Sequence, residues 1–140
     1  MFRWHRGGKT CALRVIGHEN KCKYLHGHRY VIEATFVATQ LDNIGRVVDF
    51  GVIKQKLGKW LDDNWDHNCI LSIADEDLGK QIAEITNQKI FYLPNNPTAE
   101  NMADYLLNEI CCNLFKDDDI KCSSMVIKET PNCSVKIEDN

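Results

Sequence analysis

The sequence predicts an α+β domain, and three observations carry that expectation. Residues Tyr30 to Thr39 alternate apolar and polar side chains, the period of a half-buried strand. After Asp49 and again after Thr98, apolar residues recur at helical spacing. Near the C-terminus, Ser124–Lys128 and Cys133–Ile137 return to strand character around the turn Thr130-Pro131-Asn132. The 140 residues, 44% hydrophobic and 26% charged, suffice for one core and leave no room for a second, so one domain is expected over 1–140.

Taken in order, Gly7-Gly8 suggests a turn, and Thr10–Ile16 a strand with Cys11, Leu13 and Val15 on one face. Gly17–Lys23 is a polar loop leading into Cys22-Lys23-Tyr24-Leu25-His26-Gly27-His28. In the strand that follows, Tyr30, Ile32, Ala34, Phe36 and Ala38 point one way. Counting back by twos from Tyr30 reaches His28 and His26, so both imidazoles extend the apolar face at the rim of the core. Leu41–Gly45 is a turn and Arg46-Val47-Val48 reads as a short strand. Asp49 can cap a helix whose stripe is Phe50, Ile53, Leu57, Trp60 and Leu61, ending near Asn64. Gly51 and Gly58 cost that helix about 1 kcal/mol each relative to alanine, so packing must carry it.

Trp65-Asp66-His67-Asn68 follows as a loop. Leu78, Ile82 and Ile85 support a second helix over 75–86, and Lys89–Leu93 a strand. Pro94 and Pro97 break the chain. Thr98 caps a third helix, with Glu100 in its first turn and Met102, Tyr105, Leu106, Ile110 and Leu114 as its apolar stripe. Lys116–Asp119 is a solvated connection. Glu129 falls in phase with Met125 and Ile127, so its carboxylate either lies past the strand end in solvent or is reserved for a cationic or amidine-like ligand.

Composition narrows the function. A net charge of -3, with the 17 Lys and Arg scattered along the chain, argues against a general nucleic-acid or membrane surface, which leaves a small molecule as the expected partner. No apolar run approaches the roughly 20 residues that span a bilayer, and Met1–Arg6 lacks the apolar centre of a signal peptide, so a cytoplasmic location is expected. Seven cysteines should then be reduced thiols, with Cys111 and Cys112 as packing residues of a helix.

Three places can carry chemistry. His26 and His28 form a metal-ligand arrangement, or alternatively a polar start to a strand with no metal. Cys22 lies near enough to serve as base or nucleophile beside a metal-bound substrate; the other reading is a small buried hydrophobe. Asp66-His67 can share a proton-transfer network in which the carboxylate raises imidazole basicity, or can be an ordinary polar loop.

Together, Cys22-x3-His26-Gly27-His28, Gly45-Arg46-Val47-Val48-Asp49-Phe50, Asp66-His67, Pro97-Thr98-Ala99-Glu100-Asn101 and Lys128-Glu129-Thr130 resemble the 6-pyruvoyltetrahydropterin synthase family over residues 11 to 138. The offset of Cys22 from His26 looks more like the 6-carboxytetrahydropterin synthases of queuosine biosynthesis than the animal pyruvoyl enzymes. The resemblance implies the tunnelling fold (T-fold), an antiparallel sheet with helices packed on one face, assembled as a homohexamer of paired trimers. It implies a cytoplasmic, zinc-dependent lyase that converts 7,8-dihydroneopterin triphosphate with loss of triphosphate and acetaldehyde. On that reading His26 and His28 are Zn2+ ligands, Cys22 is the general base, Asp66 and His67 move protons, and Glu129 anchors the pterin.

One departure stands out. The family's first zinc histidine precedes Arg-Val-x-Gly-His, and aligning Arg14-Val15-Ile16-Gly17-His18 puts Leu13 in its place. The third ligand is then His18, His5 or none. The same residues allow two alternatives: an inactive or repurposed pterin-binding homologue without a full zinc site, or a pyruvoyl-forming enzyme.

Overall fold

The computed structural model describes residues 1–139. Six strands form one sheet: β1 (Phe2–Leu13), β2 (His26–Val37), β3 (Asn68–Ser72), β4 (Ile90–Leu93), β5 (Lys121–Thr130) and β6 (Cys133–Glu138). Their order is β4-β3-β1-β2-β5-β6. The four-strand body β1-β2-β5-β6 is antiparallel, as expected. β3 joins β1, and β4 joins β3, in parallel, so the sheet as a whole is mixed.

β1 begins earlier than the sequence suggested and stops at Leu13 rather than Ile16. Gly7-Gly8 is not a turn. The register with β2 slips between Arg6 and Lys9, and Gly8 takes a φ of 77°, the left-handed geometry of a bulge inside a continuous strand. The bulge resets the phase: Phe2, Trp4 and Arg6 are the less exposed residues before it, and Lys9, Cys11 and Leu13 are buried after it. β2 buries Tyr30, Ile32, Ala34 and Phe36, the face expected from its alternation.

Residues 46–48 are not a strand. The Asp42 carboxylate accepts the backbone N–H groups of Ile44 and Arg46 and pairs with the Arg46 guanidinium at 2.8 Å, holding this stretch in a turn with no strand partner. Asp49 then caps helix α1 (residues 50–64), accepting from the Gly51 N–H at 3.0 Å. The helix widens into a π turn over Lys54–Gly58 before returning to α geometry over Lys59–Asn64. Ile53, Leu57 and Leu61 are fully buried. Phe50 is 67% exposed and instead stacks on Phe2 at 4.9 Å. Gly58 is set by close approach, since a Cβ there would come within 2.5 Å of the Arg6 guanidinium on β1.

Helix α2 (Glu76–Thr86) places Gly79 against the Tyr92 ring, while its Ile85 faces solvent. Helix α3 (residues 99–114) starts where Thr98 accepts from the Asn101 N–H at 3.2 Å. It buries Met102, Ala103, Leu106, Leu107 and Cys111 and leaves Cys112 exposed. α1 and α3 pack on the sheet face formed by Leu13, Tyr30, Ile32, Phe36, Met125 and Ile127, and this is where the core lies. On β6, Val135 and Ile137 pack against that core as expected, but Cys133 is exposed. All seven cysteines are free thiols. Among the described residues, no helix is long and apolar enough to cross a membrane.

Candidate active site

The register of β1 on β2 sets three residue pairs in successive rows: Lys9 opposite Tyr30, Cys11 opposite His28, and Leu13 opposite His26. Directly opposed residues of antiparallel strands share a face, so these six side chains line one side of the sheet. Val31 pairs with Lys128 on β5, and continuing that register by one residue sets Glu129 beside Tyr30. The His26 and His28 rings meet edge to face at 4.9 Å, and His28 lies 5.6 Å from Tyr30.

His26 is oriented by a backbone contact. Its Nδ1 lies 2.7 Å from the Tyr24 carbonyl oxygen, an acceptor only, so Nδ1 carries the proton and Nε2 the free lone pair. That Nε2 is buried and has no hydrogen-bond partner. An imidazole held by its far nitrogen with the other lone pair uncommitted has the preparation of a metal ligand. The histidine pair therefore fits two ligands of a metal ion. The third ligand expected from the family pattern does not follow: Leu13, 2% exposed, stands directly opposite His26. Among the described residues, no three His, Cys, Asp or Glu side chains converge on one point.

Within one chain His5 is too distant to be the missing ligand. It pairs with Glu33, eight residues back along β1 from Leu13, about 26 Å away at strand rise. His18 sits in the loop after β1, and its Nδ1 accepts from the Asn20 N–H at 2.9 Å.

The Tyr30 hydroxyl shows what else gathers here. It is buried, lacks a hydrogen-bond partner, and its pKa is pushed well up by burial first, then by Cys11, Glu129 and Cys22. Cys22 and Glu129 thus lie within electrostatic range of the phenol whose ring His28 approaches. Cys22 lies partly exposed in the 3-10 turn Lys21–Lys23, and its carbonyl accepts from the Val15 N–H at 2.7 Å, which folds the loop back on itself. Burial also pushes the Cys11 thiol up to about 12, helped by Cys69 and Asp66.

Asp66 and His67 sit at the Lys9 end of these rows. The Asp66 carboxylate is 3.2 Å from His67 Nδ1, accepts from the Thr10 N–H at 3.0 Å and stands 3.6 Å from Lys9 Nζ. Burial raises its pKa, but the Thr10 N–H, His67 and Lys9 outweigh that and hold it below the usual carboxylate range. His67 itself is turned outward in left-handed geometry, its side chain 80% exposed. The pair is tied to Thr10 and Cys22 to Val15, five residues and about 16 Å apart on an extended chain.

Sequence reasoning placed His26, His28, Cys22 and Glu129 but gave no role to Tyr30, Cys11 or Lys9. Tyr30 was within reach, being next in the count by twos from the histidines. Cys11 is read on one strand face with Leu13, as the structure has it, but its pairing with His28 and the facing of Lys9 depend on the register with β2.

Residues 10–140 match the sequence profile described as 6-pyruvoyl tetrahydropterin synthase. A Rickettsia felis protein named 6-carboxy-5,6,7,8-tetrahydropterin synthase is 50% identical over 124 residues, covering 89% of this chain and 90% of its own. A Wolinella succinogenes structure superposes with a TM-score of 0.79 at 18% identity, covering 99% of this chain and 98% of the other. A Plasmodium vivax 6-pyruvoyltetrahydropterin synthase does so with 0.68 at 19% identity, covering the same shares. At such identities the likeness shows the fold alone, and that fold is the T-fold.

Proposed function

Because this chain belongs to the 6-pyruvoyl tetrahydropterin synthase family, we propose that it is a 6-carboxy-5,6,7,8-tetrahydropterin synthase, acting in the cytoplasm in queuosine (7-deazapurine) biosynthesis. It would take 7,8-dihydroneopterin triphosphate and release triphosphate and acetaldehyde. The observation that carries the reading is the placement of His26, His28 and Glu129 on one sheet face with the His26 Nε2 lone pair uncommitted, in a chain half identical to a protein of that name.

Each residue then has a task. His26 and His28 would hold Zn2+, which when bound supplies Lewis acidity toward the substrate's side-chain oxygens. Cys22, in the short turn before the histidine strand and partly open to solvent, takes up a proton from substrate carbon as general base. Glu129, on the same face as Tyr30, accepts paired hydrogen bonds from the pterin amino and ring N–H groups. Asp66, 3.2 Å from His67 Nδ1, keeps His67 oriented for proton transfer.

The exposure of the His67 side chain, 80%, favours a site completed by another subunit. β3 covers β1 only along Cys11–Leu13, so most of one β1 edge is open, as is the outer edge of β6. Open edges of this length are aggregation hazards unless paired, and a homohexamer built as a dimer of trimers would pair them. Light scattering is expected to give several times the mass of one chain at micromolar concentration; the mass of a single chain would refute the assembly.

The test of function is incubation with dihydroneopterin triphosphate and mass analysis of the products. Carboxypterin with acetaldehyde is expected. Pyruvoylpterin would assign the sister reaction, and unchanged substrate a repurposed binding protein, for which the Leu13 substitution is the specific observation.

A further inference from the structure

We infer that Cys11 supplies the third protein ligand of the metal held by His26 and His28, in place of the histidine that Leu13 has displaced. The inference rests on the reading of the histidine pair as metal ligands. Leu13 has no donor atom and its side chain is packed in the core, so position 13 contributes nothing to coordination. Cys11 stands one row along on the same strand face, directly opposite His28.

Distances permit the contact. Opposed residues of an antiparallel pair have Cβ atoms about 5 Å apart. A zinc ion about 2.3 Å from sulfur and about 2.1 Å from nitrogen holds the two donors within about 4 Å of each other. The side chains do not converge in this geometry, so the assignment requires Cys11 to turn between staggered χ1 positions. Cys69 is a poor competitor: it pairs with Ala12, the neighbour of Cys11, and so shares the opposite face of β1.

The buried phenol supplies the independent observation. Tyr30 is 1% exposed, its hydroxyl has no partner, and it stands one row along the same sheet face from the Cys11–His28 pair. A zinc-bound thiolate at Cys11 gives that hydroxyl an acceptor, the outer-shell hydrogen bond that metal sites characteristically carry. On binding, the Cys11 S–H bond breaks, the sulfur bonds to the metal, and the proton passes to solvent with no change of oxidation state. Two imidazoles and one thiolate leave the fourth position open, as a catalytic zinc requires.

The test replaces zinc with Co2+ in the full chain and records the near-ultraviolet absorption, where thiolate ligands give a charge-transfer band and imidazole and water do not. The band is expected in the parent and in Cys22→Ser, and absent in Cys11→Ser, whose zinc affinity should also fall more than about tenfold. The double variant Cys11→Ala with Leu13→His keeps the question open to experiment if Cys11→Ser folds poorly, and it should regain zinc without the band. A parent with no band, a parent that binds no cobalt, or a band lost only in Cys22→Ser would overturn the inference. Failure of the functional reading looks different: a thiolate band with no pterin product refutes that reading alone, and product without the band refutes only the ligand assignment.

Discussion

Cys22→Ala is expected to lower turnover by about 10²- to 10⁴-fold, the usual cost of losing a general base, while fold and zinc content stay near those of the parent. The thiol sits in the short turn Lys21–Lys23, in which no residue is buried, so its loss opens no cavity. The loop is held by the backbone contact between Val15 and Cys22, which alanine keeps. The measurement is single-turnover product formation beside metal analysis and circular dichroism. Turnover within a factor of about three of the parent would remove Cys22 from the chemistry, and a parallel loss of zinc would make it a ligand instead.

The parts of this site that were legible in the sequence are those set by local periodicity. His26 and His28 read correctly because a strand repeats every two residues and Tyr30, Ile32 and Phe36 fix the phase. Asp49 and Thr98 read correctly as caps because the cap hydrogen bond reaches only two or three residues ahead. The Tyr30–Cys11–His28 neighbourhood was not legible. The shared face of Cys11 and Leu13 follows from local alternation, but which residues of β2 stand opposite them depends on the register, which the bulge at Gly7-Gly8 shifts by one residue.

Two stretches misled for opposite reasons. Arg46-Val47-Val48 has two β-branched residues in sequence, but no strand lies beside it, and Asp42 engages its backbone first. Asn68–Ser72 shows no alternation and drew no strand assignment, yet it is β3. A parallel strand covered on both sides needs apolar residues at every position, so its pattern is a short unbroken run, and Cys69, Ile70, Leu71 and Ser72 are all buried.

That buried run gives the second large expectation, that Ile70→Ala destabilises the protein by about 2–5 kcal/mol. Ile70 is fully buried and pairs with Leu13 on one side and Phe91 on the other, so the deletion opens a cavity between β1 and β4. Phe91 is itself fixed among Trp60, Trp65 and Tyr105, with ring centroids at 5.4, 6.0 and 5.8 Å, and this packed aromatic group cannot readily collapse into the space. In thermal unfolding the loss should appear as a drop of roughly 5–15 °C, read at matched protein concentration because an oligomer melts in a concentration-dependent way. Ile85→Ala, on the exposed face of α2, is the control and should change the midpoint little. The effect should also reach the site, because β3 braces β1 along Cys11, Ala12 and Leu13, the stretch opposite His28 and His26. Zinc affinity is therefore expected to fall together with stability in Ile70→Ala. A variant that loses less than about 1 kcal/mol would show that β3 does not brace this end of β1, and would leave the alignment of Cys11 with His28 without its support.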